Sequence, residues 1–287
     1  MRVKTDYHVH PDYSVDAEAV KIREYCQGAL ELGIEEICFT THLEFGAVEQ
    51  GKDKIIYYKG KRWNIFDWEW LDGYFDEIDR AEKEFKSSGL SVKRGIEIGY
   101  LPNYLEEIEK VVNEYPFDFV LGGIHFIDGY FIASKIDCVD YFKTRSLETV
   151  GNDYFSMLGD MVESGLFDSV AHIDIYSRYG IRYFGKRINN LHKGRIEPIL
   201  REIAQRNMGI EINTSSISRG LAEFHPTKEI ISLAVQAGVK IFTVGSDAHE
   251  LSTLGEYIDE ALDMLDEFGL HNYIYEKRKA LHAVSAR

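Results

Sequence analysis

The sequence predicts an α/β fold of one domain, with a closed or nearly closed (β/α)7 barrel, TIM-barrel-like, as its leading architecture. Seven short apolar runs of strand length alternate with longer amphipathic stretches at helical spacing. Strands and helices that alternate in this way give a parallel sheet with right-handed crossovers. The length of 287 residues and the 45% apolar content suit one barrel-sized core, so we expect a single domain over residues 1–287. A doubly wound open sheet is the structural alternative.

The elements follow each other in a regular order along the chain. The segment 70–86 is the clearest helix, because its apolar residues form a stripe at helical spacing. Residues 43–68 form an irregular insertion and residues 135–150 a second long connection, and long connections on such scaffolds often cover a substrate. The predicted strands are 3–10, 36–40, 91–98, 118–124, 168–172, 209–213 and 240–245, and the predicted helices are 17–32, 70–86, 104–113, 154–164, 195–206, 227–236 and 255–267.

Composition excludes several classes of protein. The formal net charge of −15 argues against a protein that coats nucleic acid or binds an anionic membrane. No apolar run approaches the ~18 residues of a membrane span, and no apolar signal segment opens the chain, so we expect a cytoplasmic location. Cys26, Cys38 and Cys138 form no paired motif, and we expect them to be reduced and mostly buried.

The positions of the histidines carry the functional information. Six of the ten histidines fall at the carboxyl ends of predicted strands, and these ends meet on one face of a parallel α/β fold. Glu97 and Asp247 share that position, and Asp16 lies in the loop after the first strand. The six histidines are His8, His10, His42, His125, His172 and His249.

These nine side chains form a pattern typical of metal ligands. His8 and His10 are two apart on a strand and face the same side, and Asp247 and His249 would repeat this arrangement if their segment is extended. Without a metal, such a cluster would be a costly set of desolvated polar groups. Imidazole and carboxylate ligands without thiolate suit Zn, Mn or Fe(II). Nine candidates exceed the needs of one ion, so we expect two or three divalent ions with a carboxylate such as Glu97 as a bridge.

Two arginines near the same face are candidates for binding the substrate. Arg178 follows the strand that ends at His172, and Arg219 follows the sixth strand. A planar guanidinium suits phosphate with paired hydrogen bonds, although a single loop arginine is more often a solvated charge. His225, near the end of the sixth strand, is a weaker candidate for a substrate contact. His192, His271 and His282 lie in helical or tail segments, where surface or packing roles are expected.

The motifs resemble those of the polymerase-and-histidinol-phosphatase (PHP) superfamily. The matching segments occur in the order of the family and span nearly the whole chain. They are Asp6-Tyr7-His8-Val9-His10, Phe39-Thr40-Thr41-His42, Gly95-Ile96-Glu97, Gly122-Gly123-Ile124-His125-Phe126, Ala171-His172-Ile173-Asp174 and Gly245-Ser246-Asp247-Ala248-His249.

This resemblance implies a seven-stranded distorted barrel and three metals. One metal would take His8, His10, Glu97 and Asp247; the second would share Glu97 and add His125 and His172; the third would take Asp16, His42 and His249. Catalysis would then depend on Glu97, Asp247 and His249.

Within the superfamily the chain is most similar to the histidinol-phosphatase branch. This similarity implies hydrolysis of a small phosphomonoester, L-histidinol phosphate, in histidine biosynthesis. Asp16 stands where many members of the branch have histidine, and Ser177 stands where lysine is common. The stretch after Thr214 also departs from the usual pattern, so Arg219 could be offset by one position. These departures concern substrate contacts more than metal ligands.

Three alternatives remain open. The same chemistry could act on another phosphoester, such as a nucleotide, a sugar phosphate or phosphotyrosine. The chain could instead be a non-catalytic metal-binding module or an accessory to a polymerase, although its complete ligand set and its acidic charge argue against both. An amidohydrolase is disfavoured, because that superfamily usually has a carboxylated lysine where Glu97 stands.

Overall fold

A parallel sheet forms the centre of the molecule. The computed structural model describes residues 2–283, and seven parallel strands follow one another in the sheet in the order of the sequence. The predicted barrel strands are therefore all present, with small differences at their ends. They are β1 (Thr5–Val9), β2 (Glu36–Phe39), β3 (Ser91–Gly99), β4 (Phe119–Gly123), β5 (Ser169–Val170), β6 (Gly209–Asn213) and β7 (Phe242–Gly245).

The sheet curves until its last strand meets its first. Val9 and Ala248 form a parallel bridge, in which His10 N–H donates to the carbonyl of Ala248 at 2.8 Å. The molecule is thus a nearly closed barrel, and the open doubly wound sheet is excluded.

Helices connect the strands and cover the barrel. The segment predicted as the clearest helix buries Trp70, Leu71 and Tyr74 on its inner face, so its apolar stripe packs against the sheet. The longer helices are α1 (Ile22–Glu31), α2 (Glu69–Phe85), α3 (Leu105–Glu114), α4 (Leu147–Ser164), α5 (Tyr176–Phe184), α6 (Ile196–Gln205), α7 (Lys228–Ala237) and α8 (Ile258–Glu267). No helix within residues 2–283 is long and apolar enough to span a membrane.

The second long connection, 135–150, is partly helical. This stretch contains a helix at Cys138–Thr144 and the first turn of α4. The hydroxyl of Ser146 caps α4 by accepting a hydrogen bond from the backbone N–H of Thr149 at 3.1 Å. Helix α5 was not predicted either; it follows a fifth strand of only two residues. Its four aromatic residues and its central glycine have low helix propensity.

The connection 43–68 is also more ordered than predicted. The connection begins within a short strand, His42–Glu44, which pairs with β3. A helical turn at Gly46–Glu49 follows, and then a hairpin of Ile56–Tyr58 with Lys61–Trp63. Each of these pieces is three or four residues long, which is too short for periodicity to reveal. A bridge between Ser14 and Ile56 holds the hairpin beside the loop that follows β1.

All three cysteines are buried and free, as predicted.

Candidate metal centre

The nine predicted ligands meet at the carboxyl ends of the barrel strands. Seven of them line one cavity of about 290 Å³, while His8 and His10 lie fully buried at the end of β1. The seven that line the cavity are Asp16, His42, Glu97, His125, His172, Asp247 and His249, and Arg178 and Arg219 also face it.

Glu97 lies at the centre of the cluster and is fully buried. Its Oε2 lies 3.3 Å from His8 Nε2 and 3.5 Å from His10 Nε2. Asp247 Oδ1 approaches the same two nitrogens at 3.7 and 3.6 Å. At zinc–ligand distances of about 2.0–2.1 Å, the ligand atoms of a tetrahedral site are about 3.3 Å apart. These four side chains therefore have the spacing of a first coordination shell.

The second oxygen of Glu97 faces a different pair of histidines. Its Oε1 lies 3.0 Å from His172 Nε2 and 3.2 Å from His125 Nε2. The two imidazole nitrogens are 3.3 Å apart. One carboxylate is thus shared between two potential metal positions.

A third group lies nearer the mouth of the cavity. His42 Nε2 is 3.4 Å from His249 Nε2, and Asp16 Oδ2 is 3.5 and 3.7 Å from these two nitrogens. His42 Nδ1 also lies 2.9 Å from Glu97 Oε2, so the third group adjoins the first two. The Asp16 side chain is about half exposed, at 48%.

Unpartnered buried atoms provide a test of whether these residues fit metal ions. Within residues 2–283, His8 Nε2, His10 Nε2 and Glu97 Oε2 are buried and have no hydrogen-bond partner. Leaving a buried polar atom unpaired costs about 1–3 kcal/mol, and more for a charged group. A divalent cation would satisfy all three atoms together, so the residues present fit a metal.

The protonation states of Glu97, Asp247 and His10 suit ligation. Against the effect of burial, the carboxylates of Glu211 and Glu97 raise the pKa of His8 well above its ordinary value, and Glu97 and Glu44 raise that of His125 to about 10, so a metal ion that binds these two rings would release protons. Burial would raise the pKa of Glu97, but the nearby His8 and His125 hold it well below its ordinary value. The same balance, with His8 and His10 as neighbours, places the pKa of Asp247 well below its ordinary value. Burial lowers the pKa of His10 well below its usual range. At neutral pH these groups are therefore ionised carboxylates and a neutral imidazole, the forms that bind metals.

Two glutamates that the sequence analysis missed orient the histidines. Glu211 Oε1 lies 2.5 Å from His8 Nδ1, and Glu44 Oε2 lies 2.7 Å from His125 Nδ1. Each carboxylate accepts the Nδ1 proton, so the Nε2 lone pair of the ring is free to face a metal. A sequence signal existed for Glu211, since an acidic residue within an apolar barrel strand needs a buried partner.

Glu211 has a second contact that bears on the same centre. Its Oε2 accepts a hydrogen bond from the backbone N–H of His172 at 2.8 Å. His172 has φ +28°, a conformation that is strained for a residue with a side chain. One carboxylate therefore fixes the ring of one potential ligand and the backbone of another.

The segment Asp247–His249 is not extended, so Asp247 and His249 do not repeat the arrangement of His8 and His10 on β1. β7 ends at Gly245, and Asp247 has φ +55°, so the two side chains do not alternate along an extended strand. They still converge, since His249 Nδ1 lies 3.5 Å from Asp247 Oδ1. A turn, rather than a strand, brings both of them to the cavity.

Both predicted arginines reach the cavity from adjacent elements. Arg178, in the first turn of α5, is buried and donates to Ser215 Oγ at 3.1 Å and to Asp247 Oδ2 at 3.4 Å. Burial and the neighbouring Arg219 lower the pKa of Arg178 to about 10, so it remains cationic at neutral pH. Arg219 is more exposed, and its Nη2 lies 3.7 Å from Asp247 Oδ2.

His225 is not brought to this cavity. It is buried, its Nδ1 lies 2.6 Å from Asp174 Oδ1, and it lines a separate cavity of about 80 Å³. The structure therefore gives no support for a contact between His225 and a substrate at the metal centre. His192 is buried, whereas His271 and His282 are exposed, in line with their predicted packing or surface roles.

Replacing Glu211 with glutamine should weaken metal binding while the fold is kept. The amide cannot balance the charge of the His8 imidazole as a carboxylate does, and removing such partners typically lowers metal affinity about ten- to hundredfold. Chelator competition with the purified protein would measure the change. Glu36→Gln is the matched control, because Glu36 is also a buried strand glutamate but contacts Tyr7 and Lys93, away from the cluster. An affinity of Glu211→Gln within twofold of the unmodified protein would contradict the orienting role.

Known proteins are similar to this chain in sequence and in fold. The chain is 26% identical over 278 residues to a probable histidinol-phosphatase of Deinococcus radiodurans, covering 96% of this chain and 97% of the relative. It is 29% identical over 270 residues to a histidinol-phosphatase of Lactococcus lactis, covering 93% and 92% of the two chains. The fold resembles a histidinol phosphate phosphatase from Lactococcus lactis, solved with zinc, L-histidinol and phosphate, with a TM-score of 0.76, 24% identity and coverage of 98% and 100%. Residues 6–215 match the model of the PHP domain, and the chain belongs to that family.

Proposed function

We propose that this protein is a metal-dependent phosphomonoesterase that hydrolyses L-histidinol phosphate to L-histidinol and phosphate. The observation that carries the proposal is the position of Glu97, whose two oxygens face separate histidine groups in a cavity that two arginines also line. The substrate is supported by relatives named histidinol-phosphatase that match more than nine tenths of both chains.

The proposed metal ligands follow the three groups of atoms in the cavity. The first group is His8, His10, Glu97 and Asp247; the second is Glu97, His125 and His172; the third is Asp16, His42 and His249. Two or three divalent ions of zinc, manganese or iron would fit this set. Bound ions of this kind supply Lewis acidity, which polarises a phosphoryl group and makes water a competent nucleophile at neutral pH.

The arginines are placed to bind the phosphate. A phosphomonoester dianion held by metal ions would have oxygens that face away from the metal ligands. Arg178 and Arg219 lie 3.4 and 3.7 Å from Asp247 Oδ2, the oxygen of Asp247 that does not face His8 and His10. Among the residues that the structure describes, the Nε of Arg178 is buried and has no hydrogen-bond partner. A phosphate oxygen would satisfy this donor, and a guanidinium can hold two oxygens with parallel hydrogen bonds.

Asp247 and His249 differ in the roles that their contacts allow. Asp247 turns Oδ1 toward the histidines and Oδ2 toward Ser215 and Arg178, so one oxygen would hold a metal ion while the other keeps Arg178 in position for the phosphate. His249 Nδ1 lies 3.0 Å from the carbonyl of Asp247. That contact places the ring proton on Nδ1, and the Nε2 lone pair then faces the third group of ligands. We therefore assign metal ligation and the positioning of Arg178 to Asp247, and metal ligation to His249.

A phosphate-release assay over a panel of phosphomonoesters would test this function. With protein purified without chelator, we expect the highest kcat/KM for L-histidinol phosphate, compared with a nucleoside monophosphate, a sugar phosphate and phosphotyrosine. A higher value for another compound would replace the proposed substrate and keep the chemistry. No release from any of them by metal-loaded protein would favour a non-catalytic module.

A further inference from the structure

His225 makes a buried polar contact outside the metal centre. The residue is 1% exposed, and its Nδ1 donates to Asp174 Oδ1 at 2.6 Å. Among the residues that the structure describes, the other ring nitrogen, Nε2, finds no hydrogen-bond partner. A buried polar atom without a partner costs stability, and an apolar side chain of similar size would fill the same space without that cost. Packing alone therefore does not account for a histidine at this position.

The contact joins the start of α5 to the connection that follows β6. Asp174 lies two residues before α5, and Arg178 is the third residue of that helix. His225 belongs to the connection between β6 and α7, which also contains Ser215. The second oxygen of Asp174 accepts the backbone N–H of Thr227, in the same connection, at 3.3 Å. One carboxylate thus fixes the beginning of α5 against this connection.

The backbone of His225 is fixed in turn to the end of β6. The N–H of His225 donates to the carbonyl of Asn213 at 3.1 Å, and the N–H of Asn213 donates to the carbonyl of His225 at 2.7 Å. The side-chain oxygen of Asn213 accepts the backbone N–H of Ser215 at 3.1 Å. Arg178 then donates to the hydroxyl of Ser215. The contacts therefore form a closed ring that runs from Asp174 through His225, Asn213, Ser215 and Arg178 and returns along α5.

We infer that His225 is a positioning residue for Arg178, because through Asp174 it fixes the turn of α5 from which the guanidinium reaches the metal centre. The inference rests on the proposed function, in which Arg178 binds the phosphate. Arg178 is buried beside Ser215 and Asp247, so a small rotation of α5 would move its guanidinium away from both. A misplacement of about 1 Å can cost about a hundredfold in rate, even when the altered group lies outside the site.

Removing the imidazole tests this role. We expect His225→Ala to raise KM for L-histidinol phosphate about fivefold or more, but less than Arg178→Ala does, because a displaced guanidinium keeps part of its charge-assisted contact. Metal content should be unchanged, since the ring contacts Asp174, which belongs to none of the three ligand groups. His225→Asn should recover most of the loss, because the amide nitrogen of asparagine is as many bonds from the backbone as Nδ1 and can still donate to Asp174.

A double variant distinguishes positioning from a general loss of structure. If His225 acts through Arg178, His225→Ala should not raise KM further once Arg178 is already alanine, so the two effects are not additive. If His225 affects the fold alone, the two fold-changes multiply. His192→Ala is the matched control, because His192 is also 1% exposed and neither of its ring nitrogens has a hydrogen-bond partner within residues 2–283. Its KM should equal that of the unmodified protein.

Asp174→Asn disturbs the same contact from the other side and leaves no buried charge unpaired, so the test stands if His225→Ala fails to fold. This variant should also raise KM, and it should have no further effect when Arg178 is already alanine. An unchanged KM in both single variants, or fold-changes that multiply in both double variants, would overturn the inference.

The proposed substrate can fail separately from the role of His225. If the unmodified protein does not hydrolyse L-histidinol phosphate, the same variants are compared by the Kd of the metal-loaded protein for inorganic phosphate. We then expect His225→Ala to raise this Kd, and to raise it no further in the Arg178→Ala background. An unchanged Kd, or fold-changes that multiply, would again overturn the inference.

Discussion

Glu97→Ala should lose nearly all turnover. The substitution removes both oxygens that face the two histidine groups, one 3.3 Å from His8 Nε2 and the other 3.0 Å from His172 Nε2. Ions that lose a shared ligand no longer hold a fixed separation, and their contribution to transition-state stabilisation amounts to several kcal/mol. We therefore expect kcat to fall on the order of a thousandfold or more. Steady-state kinetics of phosphate release would measure the loss.

Metal content distinguishes this effect from a general loss of structure. Elemental analysis of protein purified without chelator should find more than one transition-metal ion per chain, and Glu97→Ala should bind fewer. Glu97→Gln is the companion variant, because it keeps the volume of the buried side chain and removes its charge. It should lose activity nearly as fully as Glu97→Ala while its circular dichroism spectrum is unchanged.

Two outcomes would contradict a central role of Glu97 in the site. Activity of Glu97→Ala within a few-fold of the unmodified protein would show that no ion depends on it. A single tightly bound ion in the unmodified protein, even after metal supplementation, would contradict the multinuclear centre.

The barrel and the convergence of the ligand candidates were predictable because they depend on repeated patterns. Each barrel strand is a short apolar run, and parallel strands bring their carboxyl ends to one face, so the positions of Glu97 and His172 follow from strand order alone. The same reasoning located Arg178 near the face, although not the helix that carries it, because the aromatic residues and the glycine of α5 have low helix propensity.

Contacts between residues distant in the sequence were harder to predict. Glu211 meets His8 across 203 positions, and no local pattern encodes that pairing. Asp247 takes a left-handed backbone conformation, which residues with a side chain seldom adopt, so the alternation that an extended segment would give Asp247 and His249 does not apply. His225 follows the sixth strand, but its ring is held by Asp174, and proximity in sequence to a strand end did not place it in the cavity.

Arg178→Ala should separate substrate binding from metal binding. Arg178 is buried and contacts Ser215 and Asp247. It lines the cavity of the metal centre but belongs to none of the three ligand groups. Charge-assisted hydrogen bonds are worth about 1.5–3 kcal/mol, so KM for L-histidinol phosphate should rise about ten- to hundredfold. If the contact tightens as charge shifts in the transition state, kcat should fall too. Metal content should stay unchanged, since Ser215 still donates to Asp247 Oδ2 at 2.9 Å.

Conservative and neighbouring variants make the test specific to the guanidinium. Arg178→Lys should recover only part of the loss, because an ammonium cannot form two parallel hydrogen bonds to a phosphate. Arg182→Ala is the matched control one helical turn later, where the side chain is exposed and does not line the cavity, and its KM should be unchanged. Arg219→Ala should raise KM less than Arg178→Ala, because Arg219 is 37% exposed and solvent screens its charge. A neutral Arg178→Ala would leave Arg219 as the principal phosphate contact, whereas a loss of metal in Arg178→Ala would mean that the arginine acts through Asp247.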